Sequence, residues 1–127
     1  MRLIGIGIDV VEVDRIADAI ERHGEGFLGR IFTEGERAYC SSQKRPALHF
    51  AARFAAKEAI AKAFGTGIGK DLGWLDMEIV RRPSGEPAVE LNGTGKAYAE
   101  SAGIDSIKIS LTHAREYAAA NAVALGG

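Results

Sequence analysis

The chain has 127 residues, one cysteine, 16 lysines and arginines against 17 aspartates and glutamates, and a hydrophobic fraction of 46%. That is the composition of one compact domain able to build a core without disulfide or zinc staples, and it excludes a linker, a tail and a low-complexity chain. The net charge of −1 gives no overall nucleic-acid signal and no apolar run approaches the roughly 18 to 20 residues that cross a bilayer, while the lone Cys40 and the lack of a leader pattern fit a reducing cytoplasm.

Small and β-branched residues alternate from Arg2 to Val13, which predicts a buried first strand. Asp14 is placed to cap a helix of about ten residues, and Gly24 to stop it. A short helix is expected over Glu25 to Arg30, and Thr33 with Glu36 has the spacing of a capping box that starts another towards Cys40. Pro46 suits the first turn of a long helix that meets no further breaker until Gly65, and Gly65 to Gly69 must then be a loop. Trp74 to Arg82 and Glu86 to Leu91 read as strands of a hairpin turned by Pro83-Ser84-Gly85. Asn92-Gly93-Thr94 leads into a short helix ending near Gly103, and Ile107 to Thr112 and Tyr117 to Leu125 form a second strand pair. The order β-α-α-α-α-β-β-α-β-β, without repeat or linker, predicts a single α+β domain over residues 1–127, with a long alanine-rich helix packed on a small, mainly antiparallel sheet.

On a helical wheel the long helix puts Leu48, Ala52, Ala55, Ala56, Ala59, Ile60 and Ala63 on one side and Phe50, Arg53, Phe54, Lys57, Glu58 and Lys62 on the opposite arc. Phe50, Phe54, Glu58 and Lys62 follow one another at i+4 steps, so a carboxylate sits beside an aromatic pair and needs a cation if that stripe is buried. A plain Glu58–Lys62 surface pair is the competing reading. Asp9 interrupts the first strand, where aspartate is disfavoured, and Gly5 and Gly7 before it allow close approach of a backbone or a ligand. One strand carboxylate and one helix carboxylate make a sparse oxygen-donor set that suits magnesium, which completes its octahedron with water and phosphate oxygens. The alternative for Asp9 is a turn cap or a pair with Arg15 or Lys62. Other motifs fail: neither glycine cluster has phosphate-loop spacing, three histidines and one cysteine offer no zinc site, and His113 has no triad partners at a telling distance.

Two segments together resemble the holo-acyl-carrier-protein synthase family, the short group of 4′-phosphopantetheinyl transferases. Gly5-Ile6-Gly7-Ile8-Asp9 is similar to the family's opening G-x-G-x-D, and Phe54-Ala55-Ala56-Lys57-Glu58-Ala59-Ile60-Ala61-Lys62-Ala63-Phe64-Gly65-Thr66-Gly67 to its F-A-x-K-E-A-x-x-K-A-x-G-T-G block. Ser84-Gly85-Glu86-Pro87 and Ile109-Ser110-Leu111-Thr112-His113 resemble two weaker downstream signatures, with Ala114 where many relatives carry an aspartate. The resemblance spans essentially the whole chain. It implies magnesium-dependent transfer of the phosphopantetheine arm of coenzyme A to a serine of apo acyl carrier protein, releasing adenosine 3′,5′-bisphosphate. Asp9 and Glu58 then match the metal ligands, Glu58 and Lys62 the catalytic groups, and Arg53, Lys62, Pro83, Gly85, Pro87 and His113 the coenzyme site. It further implies a homotrimer with active sites between subunits, since longer relatives carry two such units in one chain.

Arg22 to Lys57 holds seven basic residues against three acidic ones, which by count alone reads as a solvated surface with its counter-charges elsewhere; the resemblance implies an acidic carrier protein as its partner, with Arg15 and Arg22 at i and i+7 on the first helix as the expected contacts. A non-catalytic binding module would be expected to lose Asp9 or Glu58, and a nucleic-acid binder to interleave aromatics with an overall positive charge. The chain does neither.

Overall fold

The structure is a computed structural model that describes all residues, Met1–Gly127. Its elements are β1 (Arg2–Glu12), α1 (Val13–His23), α2 (Glu25–Ile31), α3 (Glu34–Ser41), α4 (Pro46–Phe64), a single 3-10 turn (Trp74–Asp76), β2 (Met77–Arg81), β3 (Pro87–Leu91), α5 (Gly93–Ser101), β4 (Ser106–His113) and β5 (Tyr117–Gly126). The strands form an antiparallel sheet in the order β1-β5-β4 and a separate β2-β3 hairpin.

The sheet carries α4 because small residues face small residues. Ala118, Ala120, Ala122 and Ala124 of β5 are buried against Ala55, Ala56, Ala59 and Ala63 of α4 in one continuous core cluster. Gly5 and Gly7 let β1 approach closest: a Cβ at Gly5 would run into the Ala63 carbonyl, and one at Gly7 into the Ala59 carbonyl. The expected close approach is therefore to a helix backbone, and it places Asp9, two residues beyond Gly7, alongside the last turns of α4. Gly65 ends that helix in the left-handed region at φ 80°, as the sequence expects.

Three local expectations are corrected. First, Glu12 rather than Asp14 stands at the N-cap of α1 and makes no side-chain cap. The N–H of Val13 instead donates 2.9 Å to the Glu116 carbonyl, and Asp14 falls in the first turn. Second, Trp74 to Asp76 is not strand. The Asp76 carboxylate accepts from the Gly73 N–H at 2.8 Å, the Thr94 hydroxyl at 2.7 Å and the Gly95 N–H at 3.0 Å, which winds the chain into a turn before β2 begins. Burial alone would raise the Asp76 carboxyl, but these donors outweigh it and hold it below the ordinary range. Third, β1 is not buried on both faces: Ile6, Ile8 and Val10 are exposed on its outward side, because no element of the chain covers it. The outer arc of α4, whose burial the sequence leaves open, is closed over. Phe50 and Arg53 are buried and Lys57 is fully so, because α2, α3 and the hairpin close over them. Phe50 packs on Phe32 with ring centres 4.9 Å apart, and the Lys57 ammonium donates to the Ile31 carbonyl at 2.7 Å, the Trp74 carbonyl at 3.0 Å and Glu36 at 2.7 Å. The Thr33–Glu36 capping box forms as expected, with the Thr33 N–H donating 2.8 Å to Glu36.

Candidate active site

Two clefts flank α4. The first, about 310 Å³, is lined by Asp9 and Val10 of β1, Arg15 and Ile16 of α1, and Phe54 and Glu58 of α4, with Phe27 at its edge. Asp9 is held there because β1 turns its other face outward, and Phe54 forms the wall because it stacks on Trp74 at 5.2 Å. Lys62 turns away from the Glu58 pairing considered from sequence and crosses to β1, donating to the Ile8 carbonyl at 2.8 Å and to Asp9 Oδ1 at 3.2 Å. Burial, and next the like charge of Asp9, raise the Glu58 carboxyl above its ordinary range, with Lys62 opposing.

The donor chemistry of this cleft fits a hard dication. Two carboxylates repel each other across it, Lys62 is spent on Asp9, and no third Asp, Glu, His or Cys gathers to close a complete protein cage. That is the donor set of an ion which keeps most of its coordination for water and phosphate oxygens. Arg15 lines the same cleft, whereas Arg22 lies exposed in the last turn of α1 and outside it.

The second cleft, about 220 Å³, is lined by His49 and Arg53 of α4, Arg81 of β2, Gly85 and Pro87 of the hairpin, and His113 of β4. Arg53, Gly85, Pro87 and His113 thus come together, while Pro83 sits exposed in the turn and does not line the cavity. Arg53 is only 4% exposed, its Nε has no partner, and its guanidinium lies 4.4 Å over the Tyr39 ring. Arg81 donates 2.9 Å to the Tyr39 hydroxyl. No carboxylate lines this cavity, so it is built for an anion. Sequence reasoning missed His49, Arg81 and Tyr39. The i, i+4 spacing of His49 and Arg53 was the available signal for the first, and nothing local marks the other two.

A family model of the 4′-phosphopantetheinyl transferase superfamily matches residues 5–122. A holo-[acyl-carrier-protein] synthase of Chlamydia trachomatis is 49% identical over 122 residues, covering 96% of this chain and 99% of its own. Among solved structures, the holo-[acyl-carrier-protein] synthase of Neisseria meningitidis superposes with a TM-score of 0.91 at 32% identity, covering 97% of this chain and 98% of its own. That of Helicobacter pylori, in complex with coenzyme A, gives 0.85 at 33% identity over 94% of this chain and 99% of its own. The chain belongs to the 4′-phosphopantetheinyl transferase superfamily, and within it to the holo-[acyl-carrier-protein] synthases.

Proposed function

We propose that this chain, acting as one domain, transfers the 4′-phosphopantetheine arm of coenzyme A to a serine of an apo acyl carrier protein, with magnesium at Asp9 and Glu58. The observation that carries the reading is the first cleft, where two carboxylates from β1 and α4 meet beside Lys62 and Arg15. The serine oxygen forms a bond to the β-phosphorus of the coenzyme diphosphate, the bond to the leaving phosphate breaks, and adenosine 3′,5′-bisphosphate departs. Magnesium, when bound there, supplies charge neutralisation on the diphosphate. Lys62 has three N–H donors and spends two on Ile8 and Asp9, which leaves one for a phosphate oxygen. Phe54 and Phe27 narrow the cleft and shed water from it, and Glu58 is the carboxylate within it that receives the serine proton. The test is incubation with apo carrier protein and coenzyme A, with and without Mg²⁺, read by mass spectrometry. Added arm mass only with the metal supports the reading, and unmodified carrier under all conditions sinks it.

The two clefts share no lining residue, and at about 100° per residue His49 and Arg53 stand roughly 140° to 180° around α4 from Glu58. One coenzyme cannot wrap that helix. The outward face of β1 exposes Ile6 at 67%, Ile8 at 66% and Val10 at 61%, an apolar strip beside Asp9 that a neighbouring subunit would cover. Both features support a homotrimer in which the carboxylates of one subunit work with the anion cavity of the next. Mixing inactive Glu58→Ala and Arg53→Gln chains is expected to restore a measurable fraction of wild-type turnover once subunits exchange. Activity no higher than the parents would place each site within a single chain.

Arg15 supports docking of an acidic carrier, because it is exposed on α1 at the mouth of the carboxylate cleft. Arg15→Glu is expected to raise KM for carrier protein about tenfold or more and flatten its salt dependence, leaving KM for coenzyme A nearly unchanged. Equal increases for both substrates would remove Arg15 from the docking face; Arg22 is expected to show the same pattern more weakly. Cys40 has no second cysteine to bridge, which supports a reducing, cytoplasmic setting, and its thiol, which burial pushes up to about 11, is unreactive. No helix is long and apolar enough to cross a membrane.

A further inference from the structure

We propose that Lys62 and a divalent cation compete for the Asp9 carboxylate, and that the release of Asp9 by Lys62 is the one movement through which the ion and the coenzyme diphosphate bind cooperatively. The inference rests on the metal and coenzyme reading above and deepens it by naming the residue that couples the two ligands. Lys62, near the end of α4, crosses to β1 and donates to the Ile8 carbonyl at 2.8 Å and to Asp9 Oδ1 at 3.2 Å. The Asp9 side chain is only 17% exposed, and this ammonium is the sole ion-pair partner it has in the chain. Two cations drawn to one carboxylate repel each other at contact distance, so what one gains the other loses. Glu58 differs: it makes no ion pair, and burial with the Asp9 charge raises its proton affinity, a mark of unmet demand for positive charge. With Lys62 on Asp9, the cleft offers an incoming dication one open carboxylate instead of two.

The two contacts of Lys62 decide which one yields. The bond to Ile8 is the shorter, and its acceptor is backbone fixed within β1. The lysine side chain is 54% exposed, so water takes the place of Asp9 around the ammonium at little cost. Lys62 can therefore keep the Ile8 carbonyl and turn its other two N–H donors towards phosphate oxygens. Whichever ligand draws Lys62 off Asp9 first, the second finds that rearrangement already made, and each raises the affinity of the other. Arg15 cannot act in this way. It lines the same cleft but forms no ion pair with either carboxylate.

The experiment measures Mn²⁺ binding to the full chain by electron paramagnetic resonance, Mn²⁺ standing in for Mg²⁺ as a dication of carboxylate and water ligands. Wild type, Lys62→Met and Arg15→Gln are each titrated with and without coenzyme A, Asp9→Asn locates the site, and the mass-spectrometric transfer assay is run on the same wild-type preparation. Lys62→Gln repeats the comparison with a polar side chain. Without coenzyme A, Lys62→Met is expected to bind Mn²⁺ about tenfold more tightly than wild type, because a charged hydrogen bond no longer holds Asp9. Arg15→Gln removes the same unit charge from the cleft without freeing a carboxylate, and is expected to tighten binding less than about threefold. Coenzyme A is expected to strengthen Mn²⁺ binding by a larger factor in the wild type than in Lys62→Met. Equal tightening in Lys62→Met and Arg15→Gln reduces the effect to long-range repulsion and overturns the proposal, as does a coenzyme enhancement undiminished in Lys62→Met. Arm transfer by the wild type leaves the transferase reading standing in both cases. A wild type that neither binds Mn²⁺ at Asp9 nor transfers the arm overturns the two together.

Discussion

Asp9→Ala and Glu58→Ala are each expected to lower kcat by on the order of a thousandfold or more, with the fold and the assembly intact. The argument is electrostatic. Both carboxylates line one cleft, and burial together with the like charge of Asp9 raises the proton affinity of Glu58. Removing either leaves one carboxylate facing Lys62, an ordinary ion pair with no remaining demand for a dication. The folded state loses little, because Asp9 and Glu58 are not members of the buried core, and truncating Glu58 relieves a desolvated like-charge contact. Thermal midpoints within a few degrees of wild type, unchanged sedimentation and lost arm transfer together are the expected outcome. Conservative Glu58→Gln separates charge from shape: it keeps the side chain's volume and removes its charge, so it should be as inactive as the alanine variant. A Glu58→Gln chain that retains more than about a tenth of wild-type kcat would take the carboxylate out of the chemistry.

The sequence carries the elements far better than it carries their far contacts, and particular residues show why. Gly24, Pro46, Gly65 and the Thr33–Glu36 capping box act within a few positions of themselves, so their effects are written in local spacing and appear where expected. Trp74 to Asp76 is misread as strand because the group that bends it is a carboxylate satisfied by Thr94 and Gly95, on the far side of the hairpin. Asp9 and Glu58 stand out because aspartate inside a strand and glutamate beside aromatics are locally costly, which is legible, and the structure brings them into one cleft. His49 is marked in sequence only by its i, i+4 spacing to Arg53: its meaning depends on His113 and Arg81, brought beside it from two other elements. The helical wheel leaves the burial of Lys57 open because its partners lie far along the chain: α2, α3 and the 3-10 turn supply every acceptor its ammonium needs.

That buried ammonium sets the second large expected effect, on stability instead of chemistry. Lys57→Met is expected to cost about 3–5 kcal/mol, because it strands a fully buried Glu36 carboxylate without its cation. Burial lowers the proton affinity of Lys57, and Glu36 opposes this, so each charge is tolerable only in the other's presence. The pair also ties distant parts of the chain together. Glu36 accepts the Thr33 N–H that starts α3 at 2.8 Å and the Ile79 N–H of β2 at 2.7 Å, while Lys57 binds the carbonyls at the end of α2 and at the 3-10 turn. Lys57 is the residue before Glu58, so the same contacts fix the rotation of α4 that points Glu58 into its cleft and Arg53 into the other. The Lys57→Met/Glu36→Gln double variant, which leaves no unpaired charge, is expected to recover 1 kcal/mol or more relative to Lys57→Met alone, within the range of about 0.5–3 kcal/mol measured for directly contacting pairs. Urea unfolding of the wild type, both single variants and the double variant gives the full cycle. A Lys57→Met chain that unfolds at the wild-type midpoint would show that the ammonium is not what pins the long helix in register.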